Sequence, residues 1–327
     1  MSKFIGRLVK LGLGVEAVRG AGVAPSVWVP KASENIRDTV VKARSRLDYG
    51  TIDGAGNVAP VALKRAEGSI ELDFFNESMA LFLLNLLGSV STAANGDDTH
   101  THTLSLSNEA QHDSLAMVLK DPDRDIMHKL AMVDSLTITI VPDDVVKGIV
   151  DIFAQPHTDS SNTSDFTDNI GYKFLGRHAT LKIATLTGNL AAATKIPFKR
   201  ITLRIKQNLM RDENCGTIQG NDILNTFIEV SGEIELNLEN DTYRDYVLDG
   251  DYKALRLQLT NTNEIIGSGT QNPDFLIDLS RVDFDAWEPI RALDKIAKQT
   301  VNFTALFDQT NGNVINNLTI TNERSSI

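Results

Sequence analysis

Apolar and polar residues alternate with a period of two over much of the chain, the pattern of strands with one buried face. In Ser135-Leu136-Thr137-Ile138-Thr139-Ile140 the apolar side chains share one face and the hydroxyls the other. Residues 199–206 alternate Ile201, Leu203 and Ile205 with Arg200, Thr202, Arg204 and Lys206. Similar stretches lie near 39–47, 68–75, 101–107, 180–186, 253–260, 275–282, 300–307 and 316–321, with turn signals at Asp53-Gly54, Asn95-Gly96, Gly188-Asn189 and Asn311-Gly312. One helix stands out: Asn76 or Ser78 can cap a run from Met79 to Leu87, and Gly88 ends it. Met79, Phe82, Leu83, Leu86 and Leu87 fall on one face of that helix, and Leu81 and Leu84 extend the apolar surface around it. Such a helix is expected to be buried on more than one side, between a sheet and a second partner. A second short helix is expected over 241–248, capped by Asp241 and followed by Gly250. Residues 156–170 and 261–274 read as polar surface loops. The chain is therefore expected to be mainly β with few short helices.

Self-similarity refines this picture. Gly68-Ser69-Ile70-Glu71-Leu72-Asp73-Phe74-Phe75-Asn76-Glu77-Ser78 resembles Gly232-Glu233-Ile234-Glu235-Leu236-Asn237-Leu238-Glu239-Asn240-Asp241-Thr242, and each copy leads into a candidate helix. Upstream, Gly50-Thr51-Ile52-Asp53-Gly54 matches Gly216-Thr217-Ile218-Gln219-Gly220. Before each of those turns lies a strand with a basic face, Lys42, Arg44 and Arg46 in one and Arg200, Arg204 and Lys206 in the other. Two matches that keep their order point to a duplicated unit: basic strand, glycine-bounded turn, acidic strand, helix. The period is too long for a solenoid and fits two related β domains, residues 1–190 (with loop 156–170) and 191–327. Alternation places Ile70, Leu72, Ile234 and Leu236 inward and Glu71, Asp73, Glu233 and Glu235 on the opposite face. Those carboxylates either pair with the basic strands across a sheet or line a shared acidic surface.

Composition narrows the function classes. The 327 residues are 42% hydrophobic and 23% charged, enough apolar content for a sizeable core. With 43 acidic against 32 basic side chains, the net charge of −11 argues against a tight nucleic-acid binder. The single cysteine, Cys215, excludes an intramolecular disulfide and any multi-cysteine zinc site. Lys3, Arg7 and Lys10 interrupt the apolar residues at the N-terminus, and the longest apolar run is far shorter than the ~20 residues a membrane span needs. A cytoplasm-like compartment and no membrane partner are expected.

Candidate chemistry is sparse. His100 and His102 place two imidazoles on one face of a strand, as some metal sites require, but no motif supplies a third ligand. That face continues into Leu104 and Leu106, as a strand entering a core would. The carboxylates of Asp121, Asp123 and Asp125 alternate as in a calcium loop, yet the glycine and terminal glutamate such a loop needs are Ile126 and Met132. Gly12-Leu13-Gly14 lacks a dinucleotide fingerprint, and no phosphate-binding loop or nucleophile elbow occurs. Cys215 precedes a turn glycine and reads as a small structural residue. No enzyme activity and no cofactor are expected.

The layout resembles the tail tube proteins of long-tailed bacteriophages, siphophages in particular. The resemblance rests on Gly14-Val15-Glu16-Ala17-Val18-Arg19-Gly20-Ala21-Gly22-Val23-Ala24-Pro25, on Gly68-Ser69-Ile70-Glu71-Leu72 before a helix ending in Leu87-Gly88, and on Thr99-His100-Thr101-His102-Thr103-Leu104-Ser105-Leu106. Asp134-Ser135-Leu136-Thr137-Ile138 and the closing Val301-Asn302-Phe303-Thr304-Ala305-Leu306-Phe307-Asp308 extend it across most of the chain. It implies a structural virion protein with tail-tube-type β-sandwich or barrel domains, each with a packed helix. Such proteins form stacked rings that conduct DNA from capsid to host. It also implies tape measure, tail terminator and distal tail or baseplate proteins as partners, and double-stranded DNA in transit. The usual ring has six single-domain subunits; here three duplicated chains would give a pseudo-hexamer, with a plain hexamer as the rival. Glu71, Asp73, Glu233 and Glu235 are the expected lumen residues, and Met79, Phe82, Leu83, Leu86 and Leu87 the packing helix. Other readings are an adhesin or spike component, or a metal-dependent hydrolase using His100 and His102.

Overall fold

The computed structural model describes residues 5–44, 50, 52, 58–161, 165 and 171–327. Within them the chain is mainly β, with two α-helices, Met79–Leu87 (α1) and Thr242–Asp249 (α2). Eight strands form one antiparallel ribbon. Their order is Arg37–Lys42, Val61–Asp73, Lys147–Ala154, Asp125–Ile140, Arg200–Lys206, Glu229–Asn237, Lys298–Leu306 and Asp274–Ile290. The two longest strands leave the ribbon through their N-terminal halves. Asp125–Ile140 there pairs with Leu115–Lys120 and Thr158–Ser160, and Asp274–Ile290 with Lys253–Thr260 and Ile315–Asn322. These strands build a second layer over one face of the ribbon. Lys10–Val15, Ala179–Ala184 and the hairpin of Gly88–Ala94 with His100–Leu106 extend it.

Every second ribbon residue points into the space between the layers, where Ile70, Leu72, Leu136, Ile138, Leu203, Ile234 and Val301 are buried in one core with Leu257, Phe275 and Ile277. Phe74 stands edge-on to Phe275 and Phe174, with ring centroids 4.9 and 5.9 Å apart. Every residue of α1 is buried, as its all-round apolar sequence predicts. Its Asn85 is satisfied inside the core: Nδ2 donates to the Asp113 carbonyl (2.7 Å), and Oδ1 accepts from the Val133 N–H (2.6 Å). Ser78 precedes α1 without a side-chain cap, because it is already helical in backbone. The Asn76 side chain is committed elsewhere, accepting from the Tyr172 N–H (2.7 Å). Gly88 ends the helix at φ +84°, the left-handed conformation a glycine takes without strain. No residue of α2 is fully buried; it lies on the ribbon's far end, with Tyr246 stacked on Phe284.

The first four ribbon strands repeat the last four. With Gly68 set on Gly232, Arg37–Lys42 stands where Arg200–Lys206 stands, and Lys147–Ala154 where Lys298–Leu306 stands. The long strands carry bulges at matching places. Asp134 is the extra residue between Val133 and Ser135, and Asp285 the extra residue between Phe284 and Ala286. A second bulge lies between Ala131 and His128 in one strand and between Val282 and Leu279 in the other. Even single bonds recur: Ala32 N–H donates to the Glu71 carbonyl (2.8 Å) and Lys199 N–H to that of Glu235 (2.7 Å). Phe74 N–H donates to Val146 (2.8 Å) and Leu238 N–H to Ala297 (2.9 Å). The glycines are needed where they are, since a Cβ at Gly232 would come within 2.5 Å of the Phe303 ring and one at Gly68 within 2.5 Å of Ile36 Cα.

Candidate functional site

The ribbon's second face is covered only in part: in the first half, Leu209 and Ile223 pack over its Met132 and Phe153. Glu71, Asp73, Glu233 and Glu235 all project from it, as alternation predicts, and Arg200, Arg204 and Lys206 share that face rather than occupying a separate one. Arg200 lies directly across from Glu235, and Lys206 across from Glu229. Lys298 also pairs with Glu235, and Ser33 Oγ donates to Glu71 (2.9 Å). Cross-strand contacts at such exposed positions each contribute roughly 0.2–1 kcal/mol, so they tune the face more than they hold the fold. Lys42 is the exposed last residue of its strand, Arg44 lies just beyond it, and Arg46 is outside the described residues. The base that stands where Arg204 stands is Arg37. The sequence match missed it because Arg37 precedes the alternating stretch; aligning the strands through Gly68 and Gly232 recovers it.

The middle of the ribbon is a joint between its two halves. Arg200–Lys206 pairs with Asp125–Ile140, setting Ile201 against Ile140, Leu203 against Ile138 and Ile205 against Leu136, all buried. The bulged Asp134 secures the end of this joint: its carbonyl accepts from the Gln207 N–H (2.7 Å) and its Oδ1 from the Leu209 N–H (3.1 Å). Beyond it the chain folds back over the first half. Arg19 donates to Asp222 (2.6 Å) and to the Ile223 carbonyl (2.6 Å), and it also reaches the His112 carbonyl. Burial raises the Asp222 carboxyl, but hydrogen bonds from Arg19 and Gln111 outweigh it and hold the group below its ordinary value. Arg19 is itself presented by a turn built around Glu16, whose buried carboxylate accepts from the Gly20 and Gly22 N–H groups (2.7 and 2.9 Å).

Both ends of the ribbon are open among the described residues. Arg37–Lys42 has a strand on one side only, and so do residues 283–290 of the last strand. Both edges are exposed and carry apolar residues, Val40 and Val41 on one and Ile290 on the other.

His102 is fully buried, with Nδ1 2.8 Å from Thr92 Oγ1 and Nε2 2.9 Å from Asn322 Oδ1, so both ring nitrogens are engaged. Burial, partly offset by the Asn322 bond, lowers its pKa. The His100 ring stacks beside it with centroids 6.5 Å apart. Among the described residues no group of three metal-ligating side chains converges. Cys215 is exposed in its turn. Among the described residues no helix is long and apolar enough to cross a membrane.

A family model described as phage tail tube protein matches residues 6–321. No curated protein matches the chain.

Proposed function

Because this chain belongs to the phage tail tube protein family and is a structural protein of the tail, we propose that three copies close each ring of the tube as a pseudo-hexamer. Each copy supplies two related β units, residues 1–190 and 191–327, with Ala179–Ala184 docked on the second unit. The observation that supports this reading is the ribbon: two sets of four strands in the same order, joined edge to edge, with one unlike edge left open at each end. Open edges invite pairing with other chains, and closing a sheet on itself is the arrangement that removes them.

In this reading the open part of the second ribbon face, around Glu71, Asp73, Glu233 and Glu235, is the lumen wall, because the other face is filled by the core and the second layer. Glu71, Asp73, Glu233 and Glu235 set a repulsive field toward phosphates, and Arg200, Arg204 and Lys206 moderate it. Double-stranded DNA then passes without being held. Tape measure, tail terminator and distal tail proteins are the proposed partners along and at the ends of the tube, and the chain waits in the host cytoplasm before assembly. Negative-stain images of the purified protein, combined with mass measurement of single particles, test this. Stacked rings with a central hole and three chains per ring are expected. Compact monomers at high concentration overturn the assembly, and rings of six chains overturn the trimer.

A further inference from the structure

We propose that a second copy of this chain docks residues 283–290 of its last strand against the Ser33–Glu34 and Arg37–Lys42 edge of the first, in the register that sets Arg37 opposite Glu288 and Glu34 opposite Arg291. The proposal rests on the tail tube reading and fixes how one chain meets the next.

The template is the joint inside the chain. Arg200–Lys206 stands to its half as Arg37–Lys42 stands to the other, and the two bulged strands are likewise equivalent. Internally, Leu203 faces Ile138 and Arg204 faces Thr137. Moved to the open edges through those equivalences, the same register places Ile36 against Pro289, Arg37 against Glu288 and Asp38 against Trp287.

Three independent features agree with this register. The first is backbone parity, because in an antiparallel pair only alternate residues direct their N–H and C=O groups outward. Asn35 N–H donates inward to the Ser69 carbonyl (3.1 Å), so Glu34, Ile36 and Asp38 direct theirs to the open edge. On the other edge, Leu238 N–H donates to the Ala297 carbonyl, which turns the backbone of Gln299 toward Glu229–Asn237 and that of its partner Pro289 outward with Trp287. The outward groups of the two edges therefore meet one another, and a shift of one residue would set them against inward ones.

The second feature is charge. Arg37 and Glu288 are exposed, and among the described residues neither has an ion-pair partner within the chain. The register brings them face to face, and it sets Glu34, which pairs with Lys31 within the chain, opposite Arg291 on the other face of the sheet. A shift of one residue breaks both pairs. The third feature is Pro289, whose ring nitrogen faces the open edge and cannot donate. Proline is confined to such edge positions, where it discourages indiscriminate strand addition while its carbonyl still accepts from Ile36.

Cysteine cross-linking reads the register directly. Positions 37 and 288 form a non-hydrogen-bonded pair, for which Cα atoms lie about 4.5 Å apart, within disulfide reach. In full-length protein carrying Cys215→Ser, the combination Arg37→Cys with Glu288→Cys should give interchain covalent oligomers on mild oxidation. Arg37→Cys with Pro289→Cys, which point to opposite faces, should not. Separately, Arg37→Glu should reduce tube formation at least tenfold, and adding Glu288→Arg should restore it. Tube formation by the wild type with no 37–288 cross-link in the double-cysteine protein, cross-linking preferentially at 37–289, or failure of the reversed charge pair to restore assembly would each overturn the register alone. Wild-type protein that makes neither rings nor tubes would instead overturn the tail tube reading beneath it.

Discussion

His102 and Arg19 show how much of the chemistry in this chain is turned inward. A histidine held below its ordinary value of 6.5 by burial takes its proton more readily unfolded than folded. Its contribution to stability is therefore full above about pH 6.5 and is lost as pH falls from there through the folded value. His102→Asn should accordingly lose less of its thermal midpoint than wild type between about pH 7.5 and 5.5; parallel curves for the two proteins would contradict this. Asp222 works in a lower window, since its folded value lies below the ordinary 3.8 and its contribution fades only as pH drops through that value. Arg19→Ala removes the guanidinium from this part-buried carboxylate and from two carbonyls. A loss of about 2–4 kcal/mol in denaturant unfolding is expected. The sequence marked Glu16, Arg19 and the nearby glycines only as a family resemblance. Their physical role was not legible there, because Arg19 reaches Asp222 and Glu16, besides binding its own turn, accepts from Ser114 Oγ and the Leu130 N–H, all far along the chain.

At the scale of elements, α1 and α2 occupy equivalent places after equivalent strands yet do different work. The apolar surface of MALFLLNLL was readable as burial on more than one side, and in the fold every residue of α1 is buried. Phe82→Ala should cost about 3–5 kcal/mol through the cavity it leaves. Tyr246→Ala in α2 should cost roughly 1–2 kcal/mol, because its half-buried ring loses a stack on Phe284, an edge contact with Tyr243 and the Lys253 ammonium over its face. Equal losses in urea titrations would refute the contrast. Strands with one buried face were legible, and 253–260 was read to the residue. Leu115–Lys120 was missed because residues 115–119 are all buried, leaving no polar alternation. Bulges at Asp134 and Asp285 shift the facing of everything downstream of them, and a single inserted residue leaves no mark in hydropathy.

For the whole molecule, the surplus of carboxylates was readable from the sequence, but their setting was not. Period-two reasoning placed Glu71, Asp73, Glu233 and Glu235 on one strand face; only the strand order reveals that Arg200, Arg204 and Lys206 stand among them. Replacing all four carboxylates with lysine should leave tubes intact and slow DNA delivery, most strongly at low salt where phosphate attraction is least screened. Normal infectivity of that quadruple variant would argue against this face as the lumen wall. The internal joint has a kinetic consequence as well. In the three-chain ring proposed above, two of the units that meet edge to edge are already tethered, so that contact forms at the effective concentration of a linked pair, independent of protein dilution. A ring built from three such chains needs fewer than half the bimolecular encounters of one built from six single units, and each encounter avoided spares the loss of translational and rotational freedom that accompanies it. Nucleation of the tube should therefore depend on the third power of chain concentration at most, where six separate subunits would impose a far steeper threshold.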